Sequence, residues 1–331
     1  MIDMKFPMVD LHRHIEGSVR LETILELGQK YDLPLPAQDV EGLRPYVQVT
    51  EPQPGVMAFL AKFKWAVGIL VDYDACRRIA YDNVLIAKDE GIDYIELRFS
   101  PGFMAEPHSL DPVGVVEAVV DGVRQGADDT GVKTNLIGII SRTYGQEAGM
   151  KELQALLTKK DDIVALDLAG DEANFPGELF VEHFRIGREA GWEITVHAGE
   201  AAGAESIWQT IKGLGATRIG HAARAADDVD LMKYIVDNGI GIEANLTSNV
   251  QTMTVGDYAA HPLKVFLEMG MLATINTDDP AISGIDLPYE YNHAAHAAGL
   301  NEKQIAQAQR NALEIAFLNA EAKSALMAAK S

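Results

Sequence analysis

The sequence predicts an α/β fold, a (β/α)8 TIM barrel with helices inserted between the first two strands and extra helices at the C-terminus. Three observations carry this reading. Eight short apolar or β-branched runs alternate with amphipathic stretches along nearly all of the 331 residues. Repeated strand–helix units imply a parallel sheet, and eight of them suggest closure. Gly91, Gly131, Gly191, Gly239 and Gly270 each fall between a helical pattern and the next strand, where a helix C-cap with positive φ is expected. Finally, residues suited to metal binding and proton transfer collect at the C-terminal ends of the strand-like runs, the end at which barrels build their sites.

The expected strands are Phe6–Leu11, Tyr94–Phe99, Thr134–Ile140, Ile163–Leu168, Glu193–Val196, Arg218–Gly220, Ile240–Ala244 and Leu272–Asn276. Helical spacing of apolar residues marks Asp111–Thr130, Pro176–Ala190, Ala204–Gly215 and Val255–Met269 between them. The long interval between the first two strands holds further helical patterns at Leu21–Tyr31, Val56–Leu70 and Tyr73–Glu90, read as inserted helices that cap the barrel mouth. The Ala-rich stretch Asn301–Lys330 reads as helix with Asn301 as its N-cap. A doubly wound open sheet is the alternative, but no G-x-G-x-x-G turn follows the first strand. With no linker or low-complexity segment, residues 1–331 are expected to form one barrel domain.

Composition narrows the partners. Hydrophobic residues make up 47% of the chain, enough for a large core, and 28 Lys and Arg against 49 Asp and Glu leave a net charge of −21. That charge disfavours nucleic acid and acidic membrane surfaces and suits a neutral or cationic small molecule, although it also serves solubility alone. Cys76 is the single cysteine and lies at helical spacing with Ile79, Ala80 and Val84, so it reads as a small buried hydrophobe that forms no intrachain disulfide. MIDMKFPMVD shows no basic region followed by an apolar one, and no apolar run approaches a membrane span. A cytoplasmic location is expected.

The chemistry is concentrated in a few motifs. In His12-Arg13-His14, strand alternation puts both histidines on one side and Arg13 on the other. His197 and Asp278 reach the same mouth from other strands. Three imidazoles and a carboxylate make a donor set suited to zinc with a position left for water. Glu200, three residues beyond His197, stands beside the expected metal, where burial can turn a carboxyl into an acid. His221 follows the next strand and is placed to orient or deprotonate the water, and Asp279 is free to bond a substrate. Alone, H-x-H is weak and Asp278-Asp279-Pro280 is equally a turn; their coincidence at strand ends gives them weight.

His12-Arg13-His14, Ser100-Pro101-Gly102, Asp167-Leu168-Ala169-Gly170-Asp171-Glu172, His197-Ala198-Gly199-Glu200, Gly220-His221 and Thr277-Asp278-Asp279-Pro280 occur in order along the chain. This series resembles the zinc adenosine deaminases of the amidohydrolase superfamily. The resemblance implies one zinc ion per chain held by His12, His14, His197 and Asp278. It implies hydrolytic deamination of adenosine and 2′-deoxyadenosine in purine salvage. By the same resemblance Glu200 delivers a proton to purine N1, His221 and Asp278 position the attacking water, Asp279 pairs with N7 and the Gly170 N–H reaches N3. His14 and Glu16 complete the substrate-facing set.

Two positions depart from that pattern. Glu16, in His14-Ile15-Glu16-Gly17, stands where adenosine deaminases usually have the Asp that contacts ribose, and the H-I-E-G form resembles adenine deaminases of the same superfamily. Ala222 replaces the usual glycine after Gly220-His221. Adenine or a 5′-modified adenosine therefore stays open as substrate, and a non-catalytic nucleoside-binding protein is a further alternative. A binuclear site is disfavoured because no lysine ends the fourth strand, which closes Asp167-Leu168-Ala169-Gly170. The remaining histidines, His108, His183, His261, His293 and His296, read as structural or surface residues. Phe59 and Phe63 are candidates to line a lid, and 248–254 a candidate loop to close the pocket. Oligomeric state is not legible.

Overall fold

Eight parallel strands follow one another in chain order around a barrel, in a computed structural model that describes residues 2–330. They are β1 (Val9–His14), β2 (Tyr94–Phe99), β3 (Lys133–Ser141), β4 (Ile163–Ala169), β5 (Glu193–Ala198), β6 (Arg218–His221), β7 (Gly241–Ala244) and β8 (Leu272–Ile275). The ring closes just beyond β8. There the His14 N–H donates to Asp278 O at 2.9 Å and the Asp278 N–H donates to His12 O at 2.7 Å. Closure thus occurs at the mouth, through the backbone of the residues singled out for chemistry.

Most strands stand within a residue or two of expectation, but β1 is displaced toward the C-terminus of its apolar run. Pro7 has no N–H to give to a ladder, and the Met8 N–H is taken by Asp93 Oδ2 at 2.8 Å, so pairing starts at Val9 opposite Tyr94. The strand then continues past Leu11 because His12 and His14 are satisfied by polar partners inside the barrel. All five predicted glycines have positive φ, from +62° at Gly239 to +92° at Gly191.

Helices Leu21–Lys30, Val40–Val47, Val56–Leu60, Lys64–Gly68 and Tyr73–Asp89 fill the interval between β1 and β2. The single helix expected over Val56–Leu70 is interrupted by a 3-10 turn at Ala61–Phe63. The C-terminal stretch is two helices, Glu302–Ile315 and Ala320–Ala328. Asn301 caps the first in a capping box with Gln304, and Asn319 caps the second by accepting from the Ala322 N–H. No helix among the described residues is long and apolar enough to cross a membrane.

Candidate active site

At the mouth four side chains converge. His12 Nε2 lies 3.1 Å from His197 Nε2, and His14 Nε2 lies 3.2 Å from the same atom. Asp278 Oδ1 is 3.1 Å from His12 Nε2 and 3.3 Å from His14 Nε2. The far sides of two rings decide their protons. His12 Nδ1 meets Glu243 Oε2 at 2.7 Å and His197 Nδ1 meets Asp167 Oδ1 at 3.0 Å, so each carries hydrogen on Nδ1 and aims an Nε2 lone pair at the centre. Lone pairs and a carboxylate oxygen crowded together repel unless a cation stands between them. Donor atoms around a four-coordinate zinc lie roughly 3.3 Å apart for bonds of about 2.0–2.1 Å, so the spacing fits that ion.

Two overlapping groups can hold a cation: His12, His197, His221 and Asp278, and His14, Asp278 and Asp279. His221 fits the role less well than His14. Its Nδ1 is taken by the Asn249 amide at 2.8 Å, and its Nε2 is 3.7 Å from Asp278 Oδ2.

Beneath the cluster the barrel interior is ionic. Arg98 bridges Asp167 at 2.8 Å and Glu243 at 2.7 Å, and Arg218 joins Glu243 at 2.7 Å and also binds Glu96. Burial acts to raise the Glu243 carboxyl, but Arg98 and Arg218 hold it well below the usual range. The two carboxylates that orient His12 and His197 are therefore fixed as anions by guanidinium groups.

Glu200 follows β5 in a loop built around another carboxylate. Glu172 accepts from the N–H groups of Gly199 at 2.6 Å, Glu200 at 3.1 Å, Ala201 at 2.7 Å and Ala202 at 3.0 Å, and from Ser206 Oγ at 2.5 Å. The Glu200 side chain is only 9% exposed, and this burial, with Asp278 and Glu172 nearby, pushes its carboxyl well above the ordinary range. Asp279 is raised in the same way, by burial and by Asp278. Burial lowers both His197 and His221.

His14, Glu16, Gly170, His197, Glu200, His221, Asp278 and Asp279 line one cavity of about 330 Å³. Phe59, Phe63 and Phe103 supply an apolar side, and Ser248 and Thr252 another wall. Glu16 Oε1 accepts from the Ser100 N–H at 2.8 Å while Oε2 is buried with no partner among the described residues, as are Asp279 Oδ1 and Ser248 Oγ. Burial pushes Glu16 up to about 7. Gly170 has φ +110°, and a Cβ there would stand 2.4 Å from Thr143 Oγ1. A Cβ on Gly17 would fall 1.8 Å from Asp279 Oδ1, so that glycine makes room for the carboxylate.

The family model "Adenosine deaminase" matches residues 7–329. Adenosine deaminase of Vibrio parahaemolyticus is 59% identical over 319 residues, spanning 96% of each chain, and that of Escherichia coli O157:H7 is 57% identical over 326 residues, spanning 98% of each. The chain belongs to the adenosine deaminase family. Its fold is shared with the adenine deaminase of Arthrobacter aurescens, at TM-score 0.91 and 24% identity over 98% of each chain. It is also shared with a zinc-bound amidohydrolase of Burkholderia ambifaria, at TM-score 0.88 and 23% identity over 99% of this chain and 90% of that one. A third likeness, to Arabidopsis ADAL complexed with GMP, has TM-score 0.84 and 22% identity over 99% and 97% of the chains.

In this adenosine deaminase family member, His14, Glu16, Gly170, His197, Glu200, His221, Asp278 and Asp279 line the one cavity, and His12 stands behind them with its Nε2 3.1 Å from His197 Nε2. Phe59, Phe63, Ser248 and Thr252 also line it. Arg13 points away, its guanidinium held by Glu90 at 2.6 Å. His183 binds Gln146 O and His108 binds Gly68 O, as structural histidines do. Cys76 is buried, with its thiol pushed up to about 12 by burial. His261 is different: it is buried and reaches Asn249, hence His221. Asn249, Glu172, Glu243 and Arg98 were given no role from sequence. Charged residues set inside strand-like apolar runs, at Glu96, Arg98, Asp167 and Glu243, are the sign in the sequence that the interior is charged. Ala222 has φ +53° directly after His221 at +63°, a left-handed pair that explains why glycine is usual there. Nothing in the structure gives the alanine methyl a function.

Proposed function

We propose that this protein hydrolyses adenosine and 2′-deoxyadenosine to inosine and deoxyinosine with release of ammonia, in purine salvage in the cytoplasm. The observation that carries the reading is the placement of Glu200, His221 and Asp279 in one cavity beside the His12, His14, His197 and Asp278 cluster. Identity of 57–59% to adenosine deaminases over nearly the whole chain supports the nucleoside as substrate.

In this reading His12, His14, His197 and Asp278 would hold one zinc ion, which would supply a nucleophile by lowering the pKa of water from 15.7 to about 7. Attack of the water oxygen at C6 breaks the aromaticity of the ring, a proton delivered to N1 stabilises the tetrahedral intermediate, and the C6–N6 bond then breaks as the amine leaves as ammonia with a proton that came from the water. Glu200 keeps its proton because it is buried beside two carboxylates, which is what an acid at N1 requires. Asp279, also held protonated, donates to N7, an acceptor. The Gly170 N–H donates to N3, and His221 with Asp278 positions the attacking water. His14 lines the cavity where the substrate lies, and Oε2 of Glu16 accepts from a ribose hydroxyl. Together these contacts fix C6 toward the water, the positioning contribution to catalysis.

The test is ammonia release by zinc-loaded protein on adenosine, deoxyadenosine and adenine side by side, with a chelated sample in parallel. Turnover of both nucleosides, inert adenine and loss of activity on chelation are expected. Turnover of adenine alone would overturn the nucleoside reading and assign Glu16 to the free base.

A further inference from the structure

We infer that Asn249 and His261 are positioning residues that set the tautomer of His221, placing its proton on Nε2 so that it donates to the attacking water and cannot take that water's proton. The inference rests on the reading of His221 given above, and its starting point is a backbone group whose polarity cannot be reversed.

The Leu263 N–H donates to His261 Nδ1 at 3.1 Å. That nitrogen must present a lone pair, so the proton of the neutral ring is on Nε2. His261 is buried, and burial pushes it down to about 3, so it stays neutral throughout the working range. Its Nε2–H faces Asn249 across 3.1 Å and needs an acceptor, which fixes the amide oxygen on that side. The NH2 of Asn249 is thereby turned to His221, with Nδ2 at 2.8 Å from the ring's Nδ1. The Asn245 amide nitrogen is 3.4 Å from both ring nitrogens and so does not choose between them, which leaves the choice to Asn249. Among the described residues no acceptor lies within hydrogen-bond distance of Nδ1, the nearest carboxylate being Glu200 Oε1 at 3.7 Å. Nδ1 accepts, and Nε2, which faces Asp278 Oδ2 at 3.7 Å, carries the hydrogen. Each link fixes the direction of the next.

A buried asparagine that only fills space would be indifferent to this polarity. Asn249→Asp separates the two cases, because the side chains are nearly the same size but the carboxylate has only acceptors. His261 still donates to one oxygen, and His221 must then offer an N–H from Nδ1 to the other.

The experiment is nitrogen-15 NMR of histidine-labelled, zinc-loaded protein, read together with steady-state kinetics on adenosine. In the unaltered protein His221 is expected as the Nε2–H form. In N249D its Nδ1 is expected to be protonated, with zinc content unchanged, kcat at least about 100-fold lower and KM within about 3-fold. A triad carboxylate that sets a histidine tautomer elsewhere shows losses of this order or larger. His261→Leu, which frees the Asn249 amide to turn, is expected to give a mixture of the two forms and a loss of about 10-fold. The proposal is overturned by an Nδ1–H ring in the unaltered protein, or by an N249D ring that moves its proton while kcat holds. Protein that deaminates no aminopurine yet shows the Nε2–H form would remove the proposed function and leave the relay standing.

Discussion

Burial and two neighbouring carboxylates push Glu200 well above the ordinary carboxyl range, and that single group marks how residue type and surroundings combine into a role. Glutamine in its place keeps the volume and loses the proton. Glu200→Gln is expected to lower kcat on adenosine by about 10²–10⁴-fold while zinc content, measured by atomic absorption, stays at the level of the unaltered protein. Loss of metal instead would move Glu200 from acid to structural support. At this scale the sequence was legible where a residue is chemically committed. His12, His14, His197, Glu200, His221, Asp278 and Asp279 are types whose donor atoms have few other reasons to stand at strand ends. It was not legible at Asn249 and His261, whose part depends on which atom faces which neighbour. Nor was it legible at Gly17, whose missing Cβ matters only because Asp279 comes within 1.8 Å of where it would be.

Elements carry the site through their terminal turns. The loop after β5 is organised by Glu172, whose carboxylate gathers four backbone N–H groups and the Ser206 hydroxyl. Glu172→Gln turns part of that acceptor surface into a donor facing N–H groups. Unfolding free energy is expected to fall by about 1.5–3 kcal/mol, as for a hydrogen-bonded charged group, measured by urea denaturation. With the Glu200 backbone released, kcat should fall more than KM rises. A variant of native stability and activity would show that the turn holds its shape without this carboxylate. Local strain belongs to the same scale. His221 and Asp278 have φ +63° and +62°, each in the left-handed region that disfavours side chains by about 1–3 kcal/mol. Barrel closure at Asp278 and the ladder ending at His221 hold them there. Pattern alone located the elements well, since alternation and glycine caps are local. It joined helices that are broken, at Ala61–Phe63 and between Ile315 and Ala320, because apolar spacing continues across both breaks; Asn319 caps the helix after the second, and no capping side chain marks the first.

For the whole molecule, the ionic barrel interior ties stability to acid. Glu243, against the effect of burial, is held well below its ordinary range by Arg98 and Arg218, and Asp167 is lowered too, burial being outweighed by His197 and Arg98. With native values below unfolded ones, the contribution is complete above the unfolded range near 4–4.5. As pH falls through that range the unfolded chain takes up protons the native state does not, so stability is lost toward the depressed native values. Melting temperature should therefore drop steeply below about pH 4.5. Glu243→Gln should be destabilised at neutral pH by about 3–5 kcal/mol, the cost of removing one partner from a buried pair, and its curve should be flatter in acid. A variant curve parallel to that of the unaltered protein would place the acid sensitivity elsewhere.

Sequence by itself determined the strand–helix alternation, the cap glycines, the candidate donor set and the family resemblance, because each is a local pattern or a committed residue type. Tertiary structure alone decided that β1 runs on through His14, that Glu243 and Asp167 orient His12 and His197, and that a backbone N–H at Leu263 governs His221 through His261 and Asn249. Those outcomes depend on hydrogen-bond polarity between residues far apart in the chain, and the direction of a hydrogen bond exists only once both partners have been brought together.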